Sequence, residues 1–198
     1  MFTVDKKFPD FSLPAYFPER GEDGRVTLAD FSGKWLILLW YPADFTFVCP
    51  TELADMQRRL DEYRAFGAEI VGASTDTVYT HKGWVDHEEL LSGLKFPLAA
   101  DHTGSFAREL DIYDEVSGMA QRAVFIIDPD GVLRAADIVA DAIGRSAGEI
   151  IRKLKALKFV HENPGKVCPA SWDEGSPTLS PSIKIAGRVG GSFEKATS

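Results

Sequence analysis

"WLILLWYPADFTFVCPTEL", residues 35–53, joins an unbroken apolar run to a proline, a short loop and then a helical pattern. The run at 35–41 is far too short to span a bilayer, which takes roughly 20 residues. Bounded by Gly33 and Pro42, it reads as a buried central strand. From Thr51 to Phe66 the period changes. Leu53, Met56, Leu60 and Tyr63 recur every third or fourth residue among Glu, Asp and Arg, which makes one apolar stripe on a helix. A buried strand entering a helix through a proline loop is the opening of an α/β architecture.

The same alternation continues outward from that stretch. "AEIVGAS" (68–74) predicts a second buried strand, and 77–91 a helix that Gly83 weakens. "RAVFIIDP" (122–129), the turn Asp128-Pro129-Asp130-Gly131 and "VLRAADIVA" (132–140) predict a hairpin. A capping box, Ser146 to Glu149, starts a helix over 147–161. The order β-α-β-α-β-β-α predicts a mixed sheet with helices on both faces. After His161 the chain is punctuated by Pro164, Gly165, Pro169, Gly175, Pro177 and Pro181 without periodicity, so residues 1–161 are expected to form one domain and 162–198 an extended arm.

Composition narrows the function classes. A chain of 198 residues with 44% hydrophobic content can bury one good-sized core. Asp and Glu outnumber Lys and Arg by 30 to 22, for a net charge of −8, which argues against nucleic acid or an anionic membrane as partner. The opening "MFTVDKKFPDFSLP" lacks the apolar stretch of a signal peptide. With only two cysteines, the expectation is a cytoplasmic protein with reactive thiols rather than a disulfide scaffold.

Cys49 lies between the first strand's loop and a helix, so it should occupy that helix's first turn, where unpaired N–H groups and the helix dipole favour an anion. A thiol there should ionise more easily. The competing reading is a buried small hydrophobe, the usual fate of an isolated cysteine. Thr46, three residues earlier, could aim its hydroxyl at the sulfur. Glu52, three residues later, rules out a C-x-x-C dithiol, so any redox partner lies elsewhere. His81, His87, His102 and His161 show no metal-binding spacing and are expected on the surface or on helices. Neither a phosphate loop nor a flavin fingerprint is present, so no cofactor is expected and electrons should come from a separate reductant.

Four stretches together, "YPADFTFVCPTEL" (41–53), "STDTVYTHKGW" (74–84), "RAVFIIDPDG" (122–131) and "GKVCPASW" (165–172), resemble the typical two-cysteine peroxiredoxins, closest to the bacterial alkyl hydroperoxide reductase C subgroup. The resemblance runs from about Phe8 to about Ile185 in the family's order, and it implies a thioredoxin-like fold. It matches Cys49 to the peroxidatic cysteine, Pro42 and Thr46 to the P-x-x-x-T-x-x-C loop, Arg122 to the arginine of a later strand and Cys168 to the resolving cysteine. Glu52 and Trp84 fall where the family has supporting and pocket-lining residues.

The implied reaction is reduction of hydrogen peroxide and organic hydroperoxides. Arg122 and Thr46 would steady the charge as it moves from sulfur to the departing oxygen, and Pro42 would shield the sulfenic acid. Cys49 and Cys168 lie far apart in sequence, so a cross-link needs a long fold-back or a neighbouring subunit; the family's answer is the neighbour, in a homodimer that often closes into rings such as decamers. A thioredoxin-like protein or a flavoprotein disulfide reductase would recycle the enzyme. A peroxide sensor or holdase is the alternative from another class, separated by turnover with a reductant. The chain lacks the Gly-Gly-Leu-Gly insertion and the C-terminal Tyr-Phe of over-oxidation-sensitive members, so resistance to inactivation is expected.

Overall fold

In the computed structural model, which describes residues 3–190, the apolar run opening at Trp35 lies within a seven-stranded sheet. The chain divides into two units, residues 1–147 and 148–198. In the first, the elements are β1 (Ser12–Phe17), β2 (Glu22–Thr27), β3 (Trp35–Trp40), α1 (Cys49–Arg58), α2 (Leu60–Ala65), β4 (Ala68–Ser74), α3 (Val78–His87), β5 (Leu98–Ala100), α4 (Ser105–Glu109), β6 (Tyr113–Asp114), β7 (Met119–Ala120), β8 (Arg122–Ile127) and β9 (Leu133–Val139). The sheet order is β2-β1-β5-β4-β3-β8-β9, and β6 and β7 form a small ribbon of their own.

Strand β3 pairs in parallel with β4 and antiparallel with β8, and all six of its residues are buried. This is why its sequence is continuously apolar rather than alternating: both faces are covered. Leu36, Leu38 and Trp40 turn to one face, where Phe106 and Ala107 of α4 join Phe8, Phe11 and Phe125 in the core. Phe8 meets Phe125 with ring centroids 5.4 Å apart. Each such side chain, fully buried, contributes roughly 1.5–3 kcal/mol. The opposite face carries α1. A Cβ at Gly72 of β4 would lie 2.7 Å from Leu98 Cδ2, so glycine there makes room for the Leu98 side chain of β5 beneath α1.

The mixed sheet with helices on both faces is the predicted architecture. The stripe from Leu53 to Tyr63 is buried throughout, yet it belongs to two helices, because the backbone at Arg59 (φ −108°, ψ 11°) leaves the helical region for one residue. The helix expected over 77–91 ends at His87 and is followed by a 3-10 turn at Glu89–Leu91. The hairpin turn forms as expected, with Asp128 Oδ1 accepting from the backbone N–H groups of Asp130 (3.0 Å) and Val132 (2.9 Å). Strands β1, β2 and β5 were not foreseen. Pro14 masks β1, β2 is a polar outer strand, and β5 is only three residues long.

The helix predicted over 147–161 is α5 (Ala147–Glu162). Beyond it, the second unit has a 3-10 turn at Ile183–Ile185. Val167 and Leu179 form an isolated antiparallel bridge. Trp172 is buried against Phe159 with ring centroids 5.0 Å apart, and Arg152 Nη1 donates to the Trp172 carbonyl at 3.0 Å.

Candidate active site

The loop leaving β3 ends at Cys49, the first residue of α1, with Pro50 beside it where a missing N–H costs nothing. The thiol is wholly buried. Thr46 Oγ1 lies 2.9 Å from Cys49 Sγ and 2.8 Å from the Ala43 carbonyl. With a single proton, that hydroxyl donates to the carbonyl or to the sulfur, and a thiolate claims it more strongly.

Arg122 opens β8 in the core of the sheet, directly across from this turn. Its Nη1 donates to Cys49 Sγ at 3.3 Å and to Glu52 Oε2 at 2.9 Å. Its Nε donates to the Asp141 carbonyl at 2.5 Å, and its Nη2 lies 3.2 Å from the Asp141 carboxylate. Burial opposes the guanidinium's charge, but Cys49, Glu52 and Asp141 together outweigh it and hold the Arg122 pKa above its ordinary value.

Glu52, only 2% exposed, is clamped by a second arginine that the sequence reading did not single out. Arg145 gives it a backbone N–H and Nε at 2.8 Å each and Nη2 at 3.0 Å, while its Nη1 donates to the Ala123 carbonyl at 2.6 Å. The buried charges therefore sum to zero when the sulfur is an anion: two guanidiniums against one carboxylate and one thiolate. Arg145 reaches this position because Gly144 packs closely on the cysteine loop; a Cβ there would lie 3.3 Å from Val48 Cγ1. The local signal was "GR" between a strand and a capped helix, which does not by itself point to Glu52.

A second buried network holds the upstream end of the loop. His81, expected at the surface or on a helix, is on α3 and fully buried, because it has a partner there. Its Nδ1 is 2.7 Å from Asp44 Oδ2 and its Nε2 is 3.2 Å from the Ala99 carbonyl. Tyr41 donates to Asp44 Oδ1 at 2.9 Å, and the Asp44 backbone N–H donates to Asp76 Oδ2 at 2.9 Å. Burial pushes the Asp44 carboxyl up, against the pull of His81. Trp84 lies beneath the loop, with ring centroids 5.7 Å from Tyr41 and 6.4 Å from Phe45.

A cavity of about 250 Å³ opens beside the thiol, lined by Pro42, Thr46, Phe47, Met119, Arg122 and Asp141 among others, with Trp84 not in its wall. The structure thus brings Cys49, Thr46, Pro42, Glu52 and Arg122 together at one end of the sheet. Cys168 belongs to the second unit, where its Sγ lies 3.7 Å from the Ala156 carbonyl. Burial pushes this thiol above its usual range. Both cysteines are free.

Residues 4–136 match the family model described as AhpC/TSA family. Alkyl hydroperoxide reductase C of Staphylococcus epidermidis is 44% identical over 189 residues, covering 96% of this chain and all of that protein; its counterpart in Staphylococcus aureus is 42% identical over the same span. Among solved structures, reduced 2-Cys peroxiredoxin of Plasmodium vivax superposes with a TM-score of 0.89 at 33% identity, covering 96% of this chain and 99% of that one. Enterococcus faecalis AhpC gives 0.80 at 44% identity, covering 85% of this chain and all of that one. A thioredoxin-like sheet with a buried thiol between a threonine and a guanidinium, and full-length identity of this order, lead to one conclusion: the chain belongs to the AhpC/TSA family and is a peroxiredoxin, a thiol-dependent peroxidase.

Proposed function

We propose that Cys49 is the attacking thiol, that hydrogen peroxide and organic hydroperoxides are its substrates, and that Cys168 resolves the product. The observation that carries this reading is the buried sulfur's two donors, Thr46 Oγ1 at 2.9 Å and Arg122 Nη1 at 3.3 Å, both of which also line the neighbouring cavity. The thiolate attacks the terminal oxygen of ROOH, the S–O bond forms as O–O breaks, and RO⁻ leaves and takes up a proton. Charge moves from sulfur toward the leaving oxygen, and both donors are poised to follow it. Glu52 and Arg145 hold Arg122 in place, and Pro42, with no N–H to offer, walls the sulfenic acid from solvent.

The Cys168 thiol then condenses with the sulfenic acid, releasing water and forming a disulfide. An external dithiol, from a thioredoxin-like protein or a flavoprotein disulfide reductase, returns both sulfurs to the thiol state. Cys49 is fully buried in a helical turn, so the disulfide requires that turn to unwind locally. The bond joins two copies of the chain in a homodimer, which a ring of dimers would contain as its unit. Residues 1–161 serve as the peroxidase domain and 162–198 as the arm that carries Cys168. Free thiols suit a reducing cytoplasm, and among the described residues no helix is long and apolar enough to cross a membrane.

The test is peroxide consumption by the reduced protein with a dithiol donor. Turnover should vanish in Cys49→Ser, and consumption that survives this change refutes the reading. Oxidised protein should run as a reducible dimer on a gel, and a dimer band that persists in Cys168→Ser rejects the resolving role.

A further inference from the structure

Beyond the sulfur, the small cavity adjoins a larger one of about 450 Å³, and the two share Pro42, Met119, Arg122 and Asp141. The larger cavity has apolar walls at Ile138, Val139 and Met119, enough for an alkyl group of several carbons. Its charges are one-sided. Asp141 stands at the junction with its carboxylate 78% exposed, and Asp114 lines the far wall. The Val116 backbone N–H and the Ser117 hydroxyl hold the Asp114 carboxyl below the usual range, so it is an anion at neutral pH. Among the described residues, Arg122 is the only cation lining either cavity, and it already serves Glu52, Asp141 and the sulfur.

We infer that the outer cavity is a charge-selective subsite: it admits the alkyl portion of an uncharged hydroperoxide and disfavours one carrying an anionic group, with Asp141 as the discriminating residue. This rests on the peroxidase reading. A substrate seated with its O–O bond at Cys49 must place its substituent past Asp141, because the two cavities meet there. A carboxylate on that substituent meets one negative side chain at the junction and another beyond it, and among the described residues lining the cavities it meets no cation but the already engaged Arg122. At low salt, a like charge about 4 Å away costs about 1 kcal/mol even in water, so a substituent seated against these side chains should lose about fivefold to tenfold in rate.

The experiment compares kcat/KM for a tertiary alkyl hydroperoxide bearing a carboxylate with that for its methyl ester, at low and high salt. The reduced protein should prefer the ester by about tenfold at low salt, and added salt should narrow the gap. Asp141→Asn should shrink the ester-to-acid ratio about fivefold, with a smaller decrease in Asp114→Asn. Because the readout is a ratio, a general loss of rate through Arg122 does not affect it. Asp23→Asn, exposed on β2, changes the net charge equally and should leave the ratio alone. Equal rates for ester and acid, a ratio unmoved by Asp141→Asn, or one moved as much by Asp23→Asn would overturn the subsite while leaving the peroxidase standing. Failure to consume either compound, or hydrogen peroxide, would instead remove the peroxidase reading and the subsite with it.

Discussion

Replacing Arg145 with glutamine removes one of two cations that hold a buried carboxylate. Glu52 accepts four hydrogen bonds: one from the Arg145 backbone, two from its side chain and one from Arg122. Arg145→Gln keeps the backbone bond but loses a full charge. Breaking a buried ion pair from one side costs about 3–5 kcal/mol of stability. The kinetic effect follows from sharing: Arg122 Nη1 lies 2.9 Å from Glu52 and 3.3 Å from the sulfur, so a carboxylate short of donors draws the same N–H group away from the thiolate. A charge-assisted bond lost at the reacting atoms is about 1.5–3 kcal/mol, or about tenfold to a hundredfold in the rate of Cys49 oxidation. Adding Glu52→Gln should recover part of the stability, because a neutral amide needs no second cation. Urea unfolding of both single variants and the double variant measures the coupling, and stopped-flow single turnovers with hydrogen peroxide measure the rate. If the two stability losses add to within about 0.5 kcal/mol, or Arg145→Gln oxidises at the wild-type rate, the charge-balance argument is wrong.

Three further outcomes can be checked directly. Thr46→Val keeps the side chain's shape but removes the donor 2.9 Å from sulfur, so peroxide kcat/KM should fall by roughly a hundredfold while urea stability changes little; an unchanged rate would deny the hydroxyl its part. Gly144→Ala would crowd Val48 Cγ1 at 3.3 Å, next to the reactive cysteine, and should cost about 1–3 kcal/mol in thermal or urea unfolding with slower oxidation; a neutral or stabilising result would mean that the loop yields freely. Burial raises the Cys168 thiol, so at neutral pH it is protonated, and disulfide formation followed by rapid quench should quicken about tenfold per pH unit until its pKa is passed. A pH-independent condensation step would show that thiolate formation at Cys168 does not control it.

The central strand was legible from its continuous apolar run, the helical stripe after it from its three-four repeat although the break at Arg59 was not, and the hairpin because Asp128 and Gly131 carry its turn chemistry. Pro42, Thr46, Cys49, Glu52 and Arg122 were legible as a motif, and the structure draws them together. Arg145 was not, since its role depends on a contact with Glu52 far away in sequence that no local pattern encodes. His81 escaped for the same reason: a histidine on a polar helix looks solvated until Asp44, from another element, turns out to be its partner. The strand β1 was hidden by Pro14, which is tolerated there although two neighbours flank the strand. The terminal stretch "RVGGSFEKATS" lies mostly outside the described residues.

The anchoring of Asp44 fixes one boundary of whatever motion releases the sulfur. With its amide tied to Asp76 and its carboxylate to His81 and Tyr41, that residue stays with the sheet while Cys49 has to come out of its turn. The pivot then falls on Phe45, whose φ of +55° lies in the left-handed region and stores about 1–3 kcal/mol. If Cys49 leaves its turn as proposed, the segment from Thr46 to Cys49 is a hatch hinged at this strained residue.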